Sequence, residues 1–331
     1  MIPVSIVTGF LGSGKTTLIS RILRDPAFAR TAVIVNEFGE IGLDHDLIAS
    51  GDETFLTLTT GCLCCAVRSD LIETLLDLRA RAGDAYDRVL IETSGLADPA
   101  PILHALMTDK AVTDTHVIDT ITTVVDPVHG EATLDRFPES RRQIALADRL
   151  VFSKTDLALP NPALLRRLDD LNPLAPRGQA ADTRPGMLFA GADPMARAAR
   201  FTDLPDQPAA SPFSRARHTE AIETEAFRRA RPLPALALTL WLQALTEHCG
   251  DRLLRVKGLV CLEEMPDQPA VIHGVQHVFS PPEFLERWPS TDTDTRLIFI
   301  FRAMPRHFPA RLLDAIEEEA REELETARRS G

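Results

Sequence analysis

Residues 4–19, VSIVTGFLGSGKTTLI, hold a strand, a glycine-rich turn and the start of a helix in one short run. VSIVT is β-branched and apolar and ends at a glycine, as a buried strand does. KTTLISRILRD follows with helical spacing and stops near Pro26. The turn between them, Gly9–Thr16, GFLGSGKT, fits G-x-x-x-x-G-K-[ST] in full and sits where that motif must, between strand and helix. Glycines let successive backbone N–H groups turn inward around phosphate oxygens, at the positive end of the next helix. On that reading Gly9, Gly12, Ser13, Gly14 and Thr17 build the cradle. Lys15 reaches the β- and γ-phosphates, and the Thr16 hydroxyl sits on Mg²⁺. The plain alternative is a glycine-rich turn that binds nothing.

Outward from the loop, short apolar strands alternate with amphipathic helices. TAVIVNEF is the next strand. DLIETLLDLRARAG is a helix, with Leu71, Leu75 and Leu78 on one face and Gly83 past its end. YDRVLIETSG is a strand, PAPILHALM a helix, and VIDTITTVVD and RLVFSKTD are further strands. Near-continuous hydrophobic strands between helices predict an α/β fold, a parallel sheet with helices on both faces.

The pattern changes after about residue 195. DLPDQPAASPFSRAR reads as a linker, placed at 196–217. Residues 218–331 then follow a different order. HTEAIETEAF alternates like a strand, and PALALTLWLQALTEHCG is helical. DRLLRVKGLVCLEE and AVIHGVQHVF are strands joined through MPDQP, TRLIFIFRAM is another, and PARLLDAIEEEAREELETARRS closes as a helix. That order predicts a smaller α+β domain with an antiparallel sheet, after a nucleotide domain over 1–195. The acidic run EEEAREELE reads as a solvated helix face, and Trp241 and Trp288 as core anchors. His273 and His277, four apart in a strand, share a face.

The chain has 331 residues and a formal net charge of −12, so it lacks the basic balance of a nucleic-acid binder or of a protein that docks on anionic lipid. No apolar run approaches the roughly 18 residues needed to span a bilayer. MIPVSIVTGF has no basic n-region and runs straight into the loop, unlike a signal peptide. The five cysteines are an odd count, and three crowd into GCLCC, residues 61–65, too tightly for a disulfide framework. A reducing, cytoplasmic setting is expected. Cys249 and Cys261 are isolated and read as core or surface thiols.

Two further segments belong with the phosphate loop. SKTD supplies Lys154 and Asp156 after an apolar strand. A carboxylate at Asp156 can accept both N–H groups on the edge of guanine, a donor pair that adenine lacks, and Lys154 can lie across the base plane. With Ser153, these residues favour GTP/GDP over ATP. In LIETSGLADP, Glu92 ends the third strand, at the carboxyl edge of a parallel sheet where ligands bind. It can hold Mg²⁺ through water, orient an attacking water, or simply cap the next helix. Gly95 can sense a γ-phosphate through its N–H.

Taken together, GFLGSGKTTL, VNEFGEIGLD, GCLCC, ETSGLADP, SKTD, RVKGLV and HGVQHVF resemble the phosphate loop, first switch, Cys-x-Cys-Cys signature, second switch, guanine motif and C-terminal domain of the CobW-type family of metal-handling GTPases. The resemblance spans the whole chain. It implies a P-loop NTPase sheet followed by a CobW C-terminal-like domain, slow GTP hydrolysis, and binding of a transition metal, Zn²⁺ or in some members Co²⁺. It also implies delivery of that ion to a client metalloprotein. The chain departs in having Ser153 where asparagine is usual, and in scattering its nine histidines instead of gathering a histidine-rich tract.

The cysteines then acquire a use. Thiolates suit Zn²⁺, Co²⁺ or Cu⁺ and not Mg²⁺. In an extended segment Cys62 and Cys64 point the same way, and a kink at Gly61 brings in Cys65. A fourth ligand comes from water, a client, or a switch group such as Glu37, Glu40 or His45. One other reading makes the three thiols buried apolar residues; another makes the protein a regulatory or redox-sensing P-loop NTPase without metal delivery, whose cysteines need only a low thiol pKa. A homo-oligomer stays open.

Overall fold

The computed structural model describes residues 1–36, 66–83, 85–189, 195, 198, 222–305 and 307–330. The chain forms two compact units, Met1–Ala192 and Asp193–Gly331. The expected linker lies outside the described residues apart from residue 198. Among the described residues no helix is long and apolar enough to cross a membrane.

The first unit is built on six parallel strands: β1 (Ile2–Thr8), β2 (Thr31–Asn36), β3 (Arg88–Thr93), β4 (His116–Val125), β5 (Arg149–Phe152) and β6 (Arg177–Gln179). They lie in the order β2-β3-β1-β4-β5-β6. The central strand is the one that feeds the glycine-rich loop. Its Val4, Ile6 and Val7 are fully buried, as are Val89, Leu90 and Ile91 of β3. Such strands have no solvated face, which is why the sequence shows unbroken apolar runs and not alternation. The unit's longer described helices are α1 (Lys15–Ile22), α2 (Ala66–Ala82), α3 (Ala100–Thr108), α4 (Gly130–Arg136), α5 (Pro138–Leu146) and α6 (Pro162–Leu171). On α2 the buried positions Leu71, Leu75 and Leu78 form the expected stripe. The Gly83 N–H closes that helix on the Arg79 carbonyl at 3.1 Å, with φ at +52°. Leu18, Ile19 and Ile22 of α1 pack on Val7, Val33, Leu90, Val124 and Val151, which fixes the helix directly behind the loop.

Among its described residues the second unit holds an antiparallel sheet with two long helices. Its main strands are β7 (Ile222–Arg229), β8 (Leu253–Val260), β9 (Ala270–Val275) and β12 (Thr295–Arg302), with two-residue β10 (Val278–Phe279) and β11 (Glu283–Phe284) beside β9. Helices α7 (Ala235–Cys249) and α8 (Phe308–Ser330) contribute Trp241, Leu245 and Leu313 to a core with Val256, Ile272, Leu297, Phe299 and Phe301. The Trp241 ring meets Phe299 edge-on at 5.7 Å, and its indole N–H donates to the Pro309 carbonyl at 3.0 Å. Burying each such phenylalanine contributes about 2–3 kcal/mol.

Three sequence expectations change here. The acidic run on α8 is not wholly a solvated face. Glu317 is buried and accepts hydrogen bonds from Arg229 and Arg321, because an Arg from β7 reaches the helix. Trp288 is only half-buried, its indole N–H donating to the Pro266 carbonyl at 2.7 Å. His277 does not share a strand face with His273. The strand ends at Val275, and Gln276, at φ +53°, turns the chain toward β10. Cys249 and Cys261 are buried free thiols, and burial pushes both thiol pKa values up, which keeps them unreactive.

Candidate functional site

At the carboxyl edge of the parallel sheet, the loops after β1, β3, β4 and β5 gather. The loop after β1 turns on glycines. Gly9 has φ at +144°, and a Cβ there would lie 2.4 Å from the Val124 carbonyl oxygen and 2.7 Å from the Ser13 hydroxyl, so only glycine fits. Gly12 and Gly14 also have positive φ, and Gly14 enters α1 as its N-cap. The Ser13 N–H closes the turn on the Phe10 carbonyl at 3.0 Å. The turn thus ends at the start of α1, where the helix dipole favours an anion.

Two side chains of the loop are oriented by what surrounds them. Lys15 is 8% exposed, and its ammonium donates to the Gly9 carbonyl at 3.0 Å and the Phe10 carbonyl at 3.4 Å. The charge is folded over the cradle it belongs to. The Thr16 hydroxyl donates to Glu92 Oε1 at 2.7 Å. Glu92 is 4% exposed, near the end of β3 beside β1, and a hydrogen bond of 2.8 Å from Thr93 to Thr8 ties the two strand ends together. A buried carboxylate on a threonine hydroxyl is a pair of hard oxygen donors, the chemistry Mg²⁺ selects. The Ser13 hydroxyl is buried and, among the described residues, has no hydrogen-bond partner. Thr17, expected in the cradle, is solvent-exposed in the first turn of α1.

The segment after β3 is pinned against this loop. A Cβ on Gly95 would lie 2.6 Å from the Leu11 nitrogen. Gln143 of α5, itself buried, donates its amide to the Gly95 carbonyl at 3.1 Å and the Ala97 carbonyl at 3.0 Å. Arg142 pairs with Asp98 at 2.8 Å. Gly95→Ala must therefore push the segment off the loop. We expect a loss of about tenfold in triphosphate affinity with smaller change for the diphosphate, measured by titration with a non-hydrolysable analogue and with GDP. Equal affinities in mutant and parent would count against a γ-phosphate contact at Gly95.

The loop after β5 completes the group. Ser153 is buried and lies against Gly14, where an added Cβ would sit 3.3 Å from the serine Cβ. Lys154 has φ at +48°, and its ammonium meets Asp126 at 2.7 Å. Asp156 is exposed on the same loop. A cavity of about 370 Å³ beside the phosphate loop is lined by Phe10, Ser13, Asp126, His129, Gln143 and Lys154.

The structure thus gathers Gly9, Gly12, Ser13, Gly14, Lys15, Thr16, Glu92 and Gly95, with Ser153 against Gly14 and Lys154 at the adjoining cavity. Cys62, Cys64, Cys65, Glu37, Glu40 and His45 lie outside the described residues. Among the described residues no group of three or more metal-ligating side chains occurs. Asp126 and Gln143 escaped the sequence reading. For Asp126 a signal was present, a carboxylate ending an apolar strand as Glu92 does.

Comparison with known proteins agrees with this geometry. Residues 3–179 match the family described as "CobW/HypB/UreG, nucleotide-binding domain", and residues 222–317 match "Cobalamin synthesis protein cobW C-terminal domain". The chain is 29% identical over 315 residues to the zinc chaperone YjiA of Escherichia coli, covering 92% of this chain and 95% of that protein. It is 34% identical over 206 residues to "Zinc-regulated GTPase metalloprotein activator 1" of Saccharomyces cerevisiae, covering 53% of this chain and 47% of that protein. The crystal structure of Zn(II)-bound YjiA GTPase from E. coli superposes with a TM-score of 0.68 at 25% identity, over 95% of this chain and 98% of that one. With its phosphate cradle, its parallel sheet and the antiparallel unit that follows, the chain belongs to the CobW/HypB/UreG family and carries the CobW C-terminal domain.

Proposed function

We propose that this protein is a GTP-hydrolysing metallochaperone. It binds zinc, with cobalt as the other candidate, through Cys62, Cys64 and Cys65, and passes the ion to a client metalloprotein in step with its nucleotide state. The observation that carries the reading is the Thr16–Glu92 contact at 2.7 Å, set beside a lysine already folded over a phosphate cradle. The names of the relatives, zinc chaperone and zinc-regulated GTPase, support the cargo.

Each residue has a task its placement suits. The N–H groups of the glycine-rich loop hold the phosphates. Lys15 exchanges its two loop carbonyls for phosphate oxygens, adding a full positive charge where negative charge develops in the transition state. Thr16 and Glu92 would hold Mg²⁺, directly or through water, and the bound ion would neutralise charge on the β- and γ-oxygens. Glu92 also accepts a hydrogen bond from, and so orients, a water near the γ-phosphate. The Gly95 N–H meets the γ-phosphate, and the residues Ser153, Lys154 and Asp156 select guanine. Glu37 and Glu40, just past β2, are placed by sequence between the cradle and the thiols, so a triphosphate that draws in the first switch also changes the ion's ligand set.

The test is hydrolysis itself. Phosphate release from GTP is expected to exceed that from ATP. Glu92→Gln is expected to slow release about a hundredfold while a non-hydrolysable analogue still binds. Unchanged turnover in that variant, or equal use of ATP, would count against the reading.

A further inference from the structure

We propose that Asp126 is a positioning residue for base recognition, tethering the Lys154 ammonium so that the lysine stem lies at a fixed place across the guanine plane. The proposal rests on the guanine reading of the loop after β5 and adds the part that makes the loop rigid. The two groups meet at 2.7 Å with their side chains 11% and 34% exposed, so the contact is shielded on the carboxylate side. Asp126 does not depend on Lys154 for its own orientation. Its Oδ1 accepts the Val128 N–H at 2.8 Å, and its Oδ2 also faces His129 Nδ1 at 3.1 Å. Burial pushes the Asp126 carboxyl up, but the bonds from Lys154, His129 and Val128 outweigh it and keep the group ionised well below neutral pH.

The lysine is constrained at its other end as well. Its backbone is left-handed at φ +48°, a conformation that a non-glycine residue holds only where its surroundings enforce it. The Leu157 N–H bonds to its carbonyl at 3.0 Å, and the Ser153 N–H bonds to the Val125 carbonyl at 3.0 Å. A long flexible side chain fixed at both ends presents its four methylenes as a plate, and the entropy of ordering it is already spent before a base arrives.

The serine at 153 explains why such a tether is needed. Among the described residues its hydroxyl donates to the Val125 carbonyl alone, at 3.4 Å, and a serine has no amide with which to tie the base loop to another segment. The cross-loop tie in this chain is instead ionic, from Asp126, the residue just after β4, to the loop after β5.

The test uses the full chain with Asp126→Asn, Lys154→Met and the double variant, each titrated with GDP, ADP and inorganic tripolyphosphate. Asp126→Asn is expected to weaken GDP about tenfold, while tripolyphosphate, which has no base, keeps its affinity. In the Lys154→Met background the Asp126→Asn change is expected to do nothing further, the sign of a role exercised through that lysine. An undiminished GDP affinity, an equal loss for tripolyphosphate, or additive losses in the double variant would overturn the tether. A separate Asp156→Asn variant checks the reading beneath it by trading GDP for XDP. If the parent binds ADP as tightly as GDP, or that trade fails, the base reading falls and the tether with it. If the trade succeeds and Asp126→Asn is silent, the tether alone falls.

Discussion

Lys15→Ala is expected to lower GTP hydrolysis by about a thousandfold and to weaken triphosphate binding until it is hard to saturate. The reason is position. Lys15 is more than nine-tenths buried, and its ammonium donates to the Gly9 and Phe10 carbonyls of the loop itself. A charge in such surroundings interacts with a phosphate far more strongly than one in bulk water. No other cation among the residues gathered at the loop stands there to replace it, since Lys154 is engaged with Asp126. Truncation removes the hydrogen bonds to the Gly9 and Phe10 carbonyls, and the apolar packing of Leu18, Ile19 and Ile22 that holds α1 is untouched. The variant should therefore fold and bind zinc in the absence of nucleotide. Phosphate release together with analogue titration checks the expectation. Turnover near that of the parent would mean that the loop is not the catalytic cradle.

The mirror-image result is expected for Cys64→Ala. Removing one thiolate from the proposed three-sulfur set should cost at least about a hundredfold in zinc affinity, a larger effect than mutating an outer partner of a ligand. GTP affinity without metal should be unchanged, because no group of the phosphate loop is altered. Competition with a chromogenic chelator, under reducing conditions, measures the loss. Zinc binding as tight as in the parent would show that the cluster is not the site and would favour thiols with a redox task.

The pair of variants also marks where the sequence was informative. A phosphate loop is legible because its chemistry is local: Gly9, Gly14, Lys15 and Thr16 fall within one strand-turn-helix, and the structure builds them as expected. The parallel sheet was legible for a related reason, since strands buried on both faces must be apolar throughout. Strand β6, with the sequence RGQ, carries no such signal. It is an edge strand whose pairing with β5 depends on backbone bonds and not on its side chains. Asp126, Gln143 and Glu317 were missed because their partners lie far off in sequence. Lys154 is 28 positions from Asp126, the Gly95 carbonyl 48 from Gln143, and Arg229 88 from Glu317. No periodicity or spacing reports contacts of that range. For Glu317 the local pattern pointed the other way, because an acidic helix run is ordinarily solvated.

The most direct measurement is a zinc titration of the reduced 331-residue chain in three states: free of nucleotide, with GDP, and with a non-hydrolysable GTP analogue. Zinc affinity should differ between the GDP and analogue states by about fivefold or more, and zinc should shift analogue affinity by the same factor, as reciprocity of coupled binding requires. One zinc dissociation constant shared by all three states would contradict a chaperone whose cargo site answers to its nucleotide.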